Sequence, residues 1–190
     1  MPRKRPKKVT PDYLERAALF YLERYSSSAE NLRRVLDRKV RRSIQEHGAP
    51  QASEAASWIA AAIAKLQRNG LVDDRSYAEG RVRRLYAEGK ALGRIRQILA
   101  ARGVAKPDIE AALERLKMEE EVPVSDLPAA ISYARKRRLG PYRADPAERA
   151  AMRQKDMGAL ARRGFSQAVT VKVLSAKNAD ELLALIEEQS

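Results

Sequence analysis

The sequence predicts an all-α protein, an elongated tandem array of three three-helix repeats closed by a C-terminal helix. Three observations carry that expectation. Apolar residues recur at helical spacing from Leu14 to Ile186. Aromatic residues make up 5% of a chain that is 44% hydrophobic, which favours close-packed helices with thin cores over a sandwich or barrel. The third is an internal match. Leu99 to Val104 (LAARGV) precedes Ile109 and then Ala112-Leu113, as Leu160 to Phe165 (LARRGF) precedes Thr170 and then Val173-Leu174, at the same offset. Leu32, Val35, Leu36 and Lys39 align more loosely with Ile95, Ile98, Leu99 and Arg102, and Val40 stands where the others have glycine. Units this short bury little each and lean on their neighbours.

Residues 1–10 read as a basic, disordered arm with two prolines, MPRKRPKKV followed by Thr10. Residues 11–70 form the first repeat. Thr10 is placed to cap a helix with Pro11 at its first position, and Leu14, Ala17, Ala18, Tyr21, Leu22 and Tyr25 make one apolar stripe. After Ser26-Ser27-Ser28, with Ser28 as a second cap, Leu32, Val35, Leu36, Val40 and Ile44 carry the next stripe. Its opposite face holds Arg34, Arg38 and Arg41, flanked by Arg33, Lys39 and Arg42 and opposed by Asp37. His47 to Pro50 reads as a loop, and His47 as an inert loop histidine. A third helix, Ser53 to Arg68, turns Ala55, Ile59, Ala62, Ile63 and Leu66 inward, with Trp58 packing beside them.

Residues 71–118 form the second repeat. Gly70 ends the preceding helix, and Asp73-Asp74 cap the next, where carboxylates meet orphan N–H groups and the positive end of the macrodipole. Ala78, Val82 and Leu85 point inward; Gly89-Lys90 breaks the helix; Leu92, Ile95, Ile98 and Leu99 restart it, and Gly103 closes it. Arg83, Arg84, Arg94 and Arg96 fall outside these stripes. A sixth helix begins near Pro107 and buries Ile109, Ala112, Leu113 and Leu116. The acidic stretch 119–124 is a linker.

The third repeat spans 125–176. Ser125-Asp126 open a helix with Leu127, Ile131 and Ala134 inward, ending in Arg135, Lys136, Arg137 and Arg138. Asp145-Pro146 start another that runs to about Arg163, and Gly164 turns into a third with Val169, Val173 and Leu174 inward. Residues 177–190 are the C-terminal helix, where Asn178 and Glu181 read as a capping box ahead of Leu182, Leu183, Leu185 and Ile186.

A net charge of +13 points to a polyanion, nucleic acid or an acidic protein surface. With no cysteine there is no disulfide, thiol catalysis or Cys-ligated zinc, and a reducing cytoplasm suits the chain. Met1 to Lys8 is basic but lacks the apolar segment of a secretory signal, and no apolar run approaches the roughly 20 residues of a membrane span. A phosphate-binding glycine loop, an HExxH pair and a histidine pair are all missing, so an enzyme is not expected.

LVDDRSYA at Leu71 to Ala78 resembles the signature of the RecX regulatory proteins. AALFYLERYSSSAENLRRVL at Ala17 to Leu36, ILAARGV at Ile98 to Val104 and LARRGF at Leu160 to Phe165 resemble it too, in the same order. The resemblance implies tandem three-helix repeats. It also implies a protein that binds the RecA recombinase and its filament on single-stranded DNA; a cytoplasmic monomer without a cofactor is expected. Such a protein restrains strand exchange, ATP hydrolysis and coprotease activity, and binds single- or double-stranded DNA directly. The residues expected to make these contacts are Arg33, Arg34, Arg38, Lys39, Arg41, Arg42, Arg83, Arg84, Arg94, Arg96, Arg137 and Arg138. The competing reading is a stand-alone DNA-binding or architectural protein built from helix-turn-helix-like units.

Overall fold

The computed structural model describes residues 6–119 and 124–187, so residues 1–5 of the arm and 120–123 of the linker lie outside it. Among the described residues there are ten α-helices and no strand: α1 (Pro11–Leu22), α2 (Ala29–His47), α3 (Ala52–Arg68), α4 (Asp74–Ala87), α5 (Leu92–Ala101), α6 (Lys106–Glu119), α7 (Leu127–Arg137), α8 (Pro146–Arg162), α9 (Gln167–Ser175) and α10 (Ala179–Glu187). A 3-10 turn, Gly140–Tyr142, separates α7 from α8. The helices form two compact units. Unit 1 takes the described residues of Met1–Ala78 together with Ala100–Asp108; unit 2 takes Glu79–Leu99 and the described residues from Ile109 onward.

In unit 1 the apolar stripes of α1, α2 and α3 meet. Leu14, Leu32, Leu36, Ile59 and Leu66 are fully buried, and Trp58 packs against them half-buried. Thr10 Oγ1 accepts from Tyr13 N at 3.2 Å and Ser28 Oγ from Asn31 N at 3.2 Å, so both caps form as read. Tyr25 departs from expectation. It lies beyond the end of α1 with its ring exposed, 5.1 Å from that of Tyr21. His47 belongs to the last turn of α2, not to the following loop, and its Nε2 donates to Pro6 O at 2.9 Å. The described end of the arm is held, because Val9 is 2% exposed and its N–H donates to the buried Ser43 Oγ at 3.0 Å.

In unit 2, α7, α8 and α9 enclose Leu127, Ala130, Ala134, Leu160 and Val173, with Leu182 of α10 against them. Leu183 is exposed, and the Ile186 side chain lies outside the described residues. Asp156, 2% exposed, accepts from Gly140 N at 2.9 Å and from Arg143 Nη2 at 2.8 Å, which fixes the 3-10 turn. At α10, Asn178 Oδ1 accepts from Glu181 N at 2.9 Å, while Glu181 Oε2 reaches back to Lys177 N at 2.7 Å, one residue before the expected partner.

The same junction occurs once in each unit. The N-terminus of the second helix of one repeat is capped by an aspartate at the start of the next repeat. In unit 1, Ala29 N donates to Asp74 Oδ1 at 2.7 Å; in unit 2, Leu92 N donates to Asp126 Oδ1 at 2.8 Å. Asp73 caps its own helix as read, accepting from Arg75 N and Ser76 N at 2.9 and 3.2 Å. Asp74 and Asp126 do not cap theirs, because their carboxylates are spent on the preceding repeat. An Arg-Gly turn completes each junction. Ser28 Oγ donates to Arg102 O at 2.5 Å, with Gly103 against the Glu30 side chain. Gly164 (φ +93°) lies backbone to backbone against Gly93 and Arg94.

That approach has no room for a methyl group, since a Cβ on Gly93 would collide with Gly164 O. Gly93→Ala is expected to lower stability in urea denaturation by about 1–3 kcal/mol, the usual cost of overpacking. Gly80→Ala, on an open helical surface of α4, is expected to raise it by about 0.5–1 kcal/mol.

Candidate functional site

Asp126 sets the site by fixing where α5 begins. It is 8% exposed, and burial pushes its carboxyl above the ordinary aspartate range, against the Leu92 N–H and the nearby Arg96 charge. With α5 held there, its first turn, one face of α7 and the end of α8 enclose a cavity of about 1060 Å³. Among the described residues six cations line it: Lys90, Arg94, Lys136, Arg137, Arg162 and Arg163. The lining acid, Glu88, already takes Arg84 Nε at 3.1 Å. Ala91, Ile98, Leu139 and Phe165 give the cavity an apolar side, which is why Ile98, read as inward, is only half-buried. One sign of charge over low-dielectric walls concentrates a positive field in the concavity.

Tyr133 stands in that field. The Arg163 guanidinium lies 4.7 Å from its ring centroid, and the Phe165 ring 6.3 Å away. The Arg163 guanidinium, opposed by burial and aided by Arg137, holds the phenol below the ordinary tyrosine range. Cavity, cations and phenol together suit an anionic group bound against an aromatic surface.

The structure divides the arginines expected to make contacts. Arg94 and Arg137 line the cavity. Arg38, Arg41 and Arg42 are exposed along α2 and make no ion pair among the described residues, and Arg138 is exposed in a left-handed conformation just past α7. Lys39 turns away from them, 5.9 Å from the Tyr13 ring. The others meet carboxylates. Arg33 binds Glu30 at 2.7 Å and Asp37 at 3.1 Å, and Arg34 shares Glu30 at 2.9 Å while donating to Ala101 O at 2.7 Å. These arginines, Arg33 foremost, hold Glu30 below the ordinary glutamate range. Arg83 pairs with Glu119 at 3.0 Å, and Arg96 is bidentate on Glu110 at 2.8 and 3.0 Å. Exposed pairs of this kind contribute only about 0–1 kcal/mol, so a stronger anion can displace the acid.

Sequence reasoning missed Lys90, Lys136, Arg162, Arg163 and Tyr133 as site residues. The signal for two of them was present: Arg162-Arg163 directly precede the Gly164 turn, and the repeat match places such turns at junctions. Among the described residues no group of three or more His, Cys, Asp or Glu side chains is arranged to hold a metal, and no helix is long and apolar enough to cross a membrane.

Comparison with known proteins follows the same lines. The family model for the second three-helix domain of RecX matches residues 73–113. The regulatory protein RecX of Myxococcus xanthus is 43% identical over 176 residues, covering 93% of this chain and 91% of that protein. That of Agrobacterium fabrum is 32% identical over 171 residues, covering 88% and 86%. A crystal structure of regulatory protein RecX superposes with a TM-score of 0.61 at 26% identity, over 87% of this chain and 71% of that one. RecX from Lactobacillus salivarius shares the fold, with a TM-score of 0.61 at 22% identity over 88% and 96%.

Arg163→Met is expected to raise the Tyr133 titration midpoint toward the ordinary tyrosine value, because it removes the cation that favours the phenolate. The check is an NMR titration of the ring resonances, assigned by subtraction with Tyr133→Phe. An unmoved midpoint would show that Arg163 does not set the field there.

Proposed function

We propose that this chain, which belongs to the RecX family of regulatory proteins, restrains the RecA recombinase by binding its filament on single-stranded DNA. In this reading the contacts are made by the cation-lined cavity of unit 2 and by Arg38, Arg41 and Arg42 on α2. The protein acts as a monomer, by binding and not by chemistry, and slows strand exchange, ATP hydrolysis and coprotease action.

One observation supports the reading above the others: among the described residues, six cations converge on a single concavity whose one lining acid is already paired. Self-neutralisation, which claims Arg33, Arg34, Arg83, Arg84 and Arg96, does not extend there. Guanidinium groups offer paired donors to phosphate or carboxylate, the two anions a nucleoprotein filament presents. Two cationic surfaces in one chain raise the effective concentration of each once the other is engaged. Contacts that are weak singly then hold the protein on a polymer with many equivalent sites.

The test is the RecA ATPase on single-stranded DNA, titrated with this protein at two salt concentrations. Arg94→Glu, Arg137→Glu and Arg163→Glu combined are expected to raise the concentration for half-inhibition about tenfold or more, a loss of ~1.4 kcal/mol or more. The helical content and melting midpoint should stay close to those of the parent, since none of the three is buried. Inhibition by the parent should weaken steeply with salt, as phosphate neutralisation requires. Unchanged inhibition by the triple variant would remove the cavity from the contact. A duplex footprint without RecA, together with indifference to the filament, would favour a stand-alone DNA-binding protein.

A further inference from the structure

Unit 1 carries a concavity of its own, of about 480 Å³, which shares Lys39 with the contact residues expected from the sequence. The end of the arm, one side of α1 and Lys39 of α2 form it. Lys7, Lys8, Arg16 and Lys39 supply its charge, and no carboxylate is among its described lining residues. Two aromatic rings stand in it. Tyr13 has Lys39 Nζ 5.9 Å from its centroid, and Phe20 has the Arg24 guanidinium 4.1 Å from its centroid. Phe20 nevertheless remains 55% exposed. The core does not require it, since α1 packs through Leu14 and Ala18.

We propose that this groove binds single-stranded nucleic acid. An unpaired base stacks on Phe20, and Lys7, Lys8, Arg16 and Lys39 hold the neighbouring phosphates. Single-strand sites combine a positive groove with aromatic rings because every base offers a π-face and every nucleotide a charge. A duplex hides those faces within its own stack, so Phe20 is the residue that tells a single strand from a double one. Arg24 lies over one face of the ring and adds charge close to a base stacked on the other. An anionic membrane fits less well: insertion needs apolar side chains projecting from a convex face, whereas Phe20 lines a concavity.

The proposal gives the direct DNA binding expected above a site of its own, and its test contains no RecA, so its failure and that of the filament reading are distinguishable. Fluorescence anisotropy would compare the full chain on a mixed-sequence single strand, an abasic strand of equal length and the corresponding duplex. Phe20→Ala is expected to weaken single-strand binding about tenfold, within the range that loss of base–aromatic stacking gives. Its affinity for the abasic strand and the duplex should not change. Phe20→Trp should restore single-strand binding, and Lys7→Glu with Lys8→Glu should weaken all three ligands. Equal affinity of the parent for abasic and normal strands would overturn the proposal, as would a Phe20→Ala variant that binds the single strand as tightly as the parent. Binding to phosphatidylglycerol vesicles that depends on Phe20 while DNA binding does not would assign the groove to lipid instead.

Discussion

An aspartate at the start of one repeat accepts the N–H that opens the second helix of the repeat before it, and the remainder of the structure follows from that contact. The first N–H groups of a helix have no partner within it. At a junction between repeats they are partly shielded from water, and a donor left unmade there costs up to the roughly 1–3 kcal/mol of a buried one. A carboxylate supplies the acceptor and a charge that suits the positive end of the helix. Asp74 does this for Ala29 and Asp126 for Leu92. The Arg-Gly turns at Gly103 and Gly164 let the chain come close enough for the bond to form. Asp126 shows the opposing force, because burial raises its pKa even while it caps a helix and lies near Arg96.

The electrostatics follow from this placement. A chain of net charge +13 cannot neutralise itself, and what matters is which cations are left over. Glu30 takes two arginines, Glu119 takes Arg83 and Arg115, and Glu110 takes Arg96. Those pairs lie along helix surfaces or between neighbouring helices. The junction that brings α5 to the Gly164 turn places Arg94 in one cavity with Arg137, Arg162 and Arg163, with no spare acid among the described lining residues. Excess charge is thus concentrated in a concavity, where low-dielectric walls make each cation count for more than on open surface.

The helices were legible in the sequence because periodicity and capping are local. Thr10, Ser28 and Asp73 all cap as their types and positions imply. The repeat was legible through its glycine turns. Other features depend on residues far apart in sequence. Asp74 and Asp126 look like local caps and serve distant helices. Arg83 and Glu119 are 36 residues apart, so their pairing leaves no sequence pattern. The cavity needs Lys90, Tyr133 and Arg163 from three segments, and only the Arg-Gly turn hinted at one of them. Ile98 sits on an apolar stripe and lines a charged cavity, a distinction that periodicity does not carry.

Amide hydrogen exchange at Ala29 and Leu92 measures the junction most directly. Both sit at helix starts, where amides are ordinarily poorly protected. Slow exchange at each is expected in the parent, with Asp74→Ala releasing Ala29 alone and Asp126→Ala releasing Leu92 alone. Fast exchange of both amides in the parent, or protection that survives loss of the aspartate, would contradict the account.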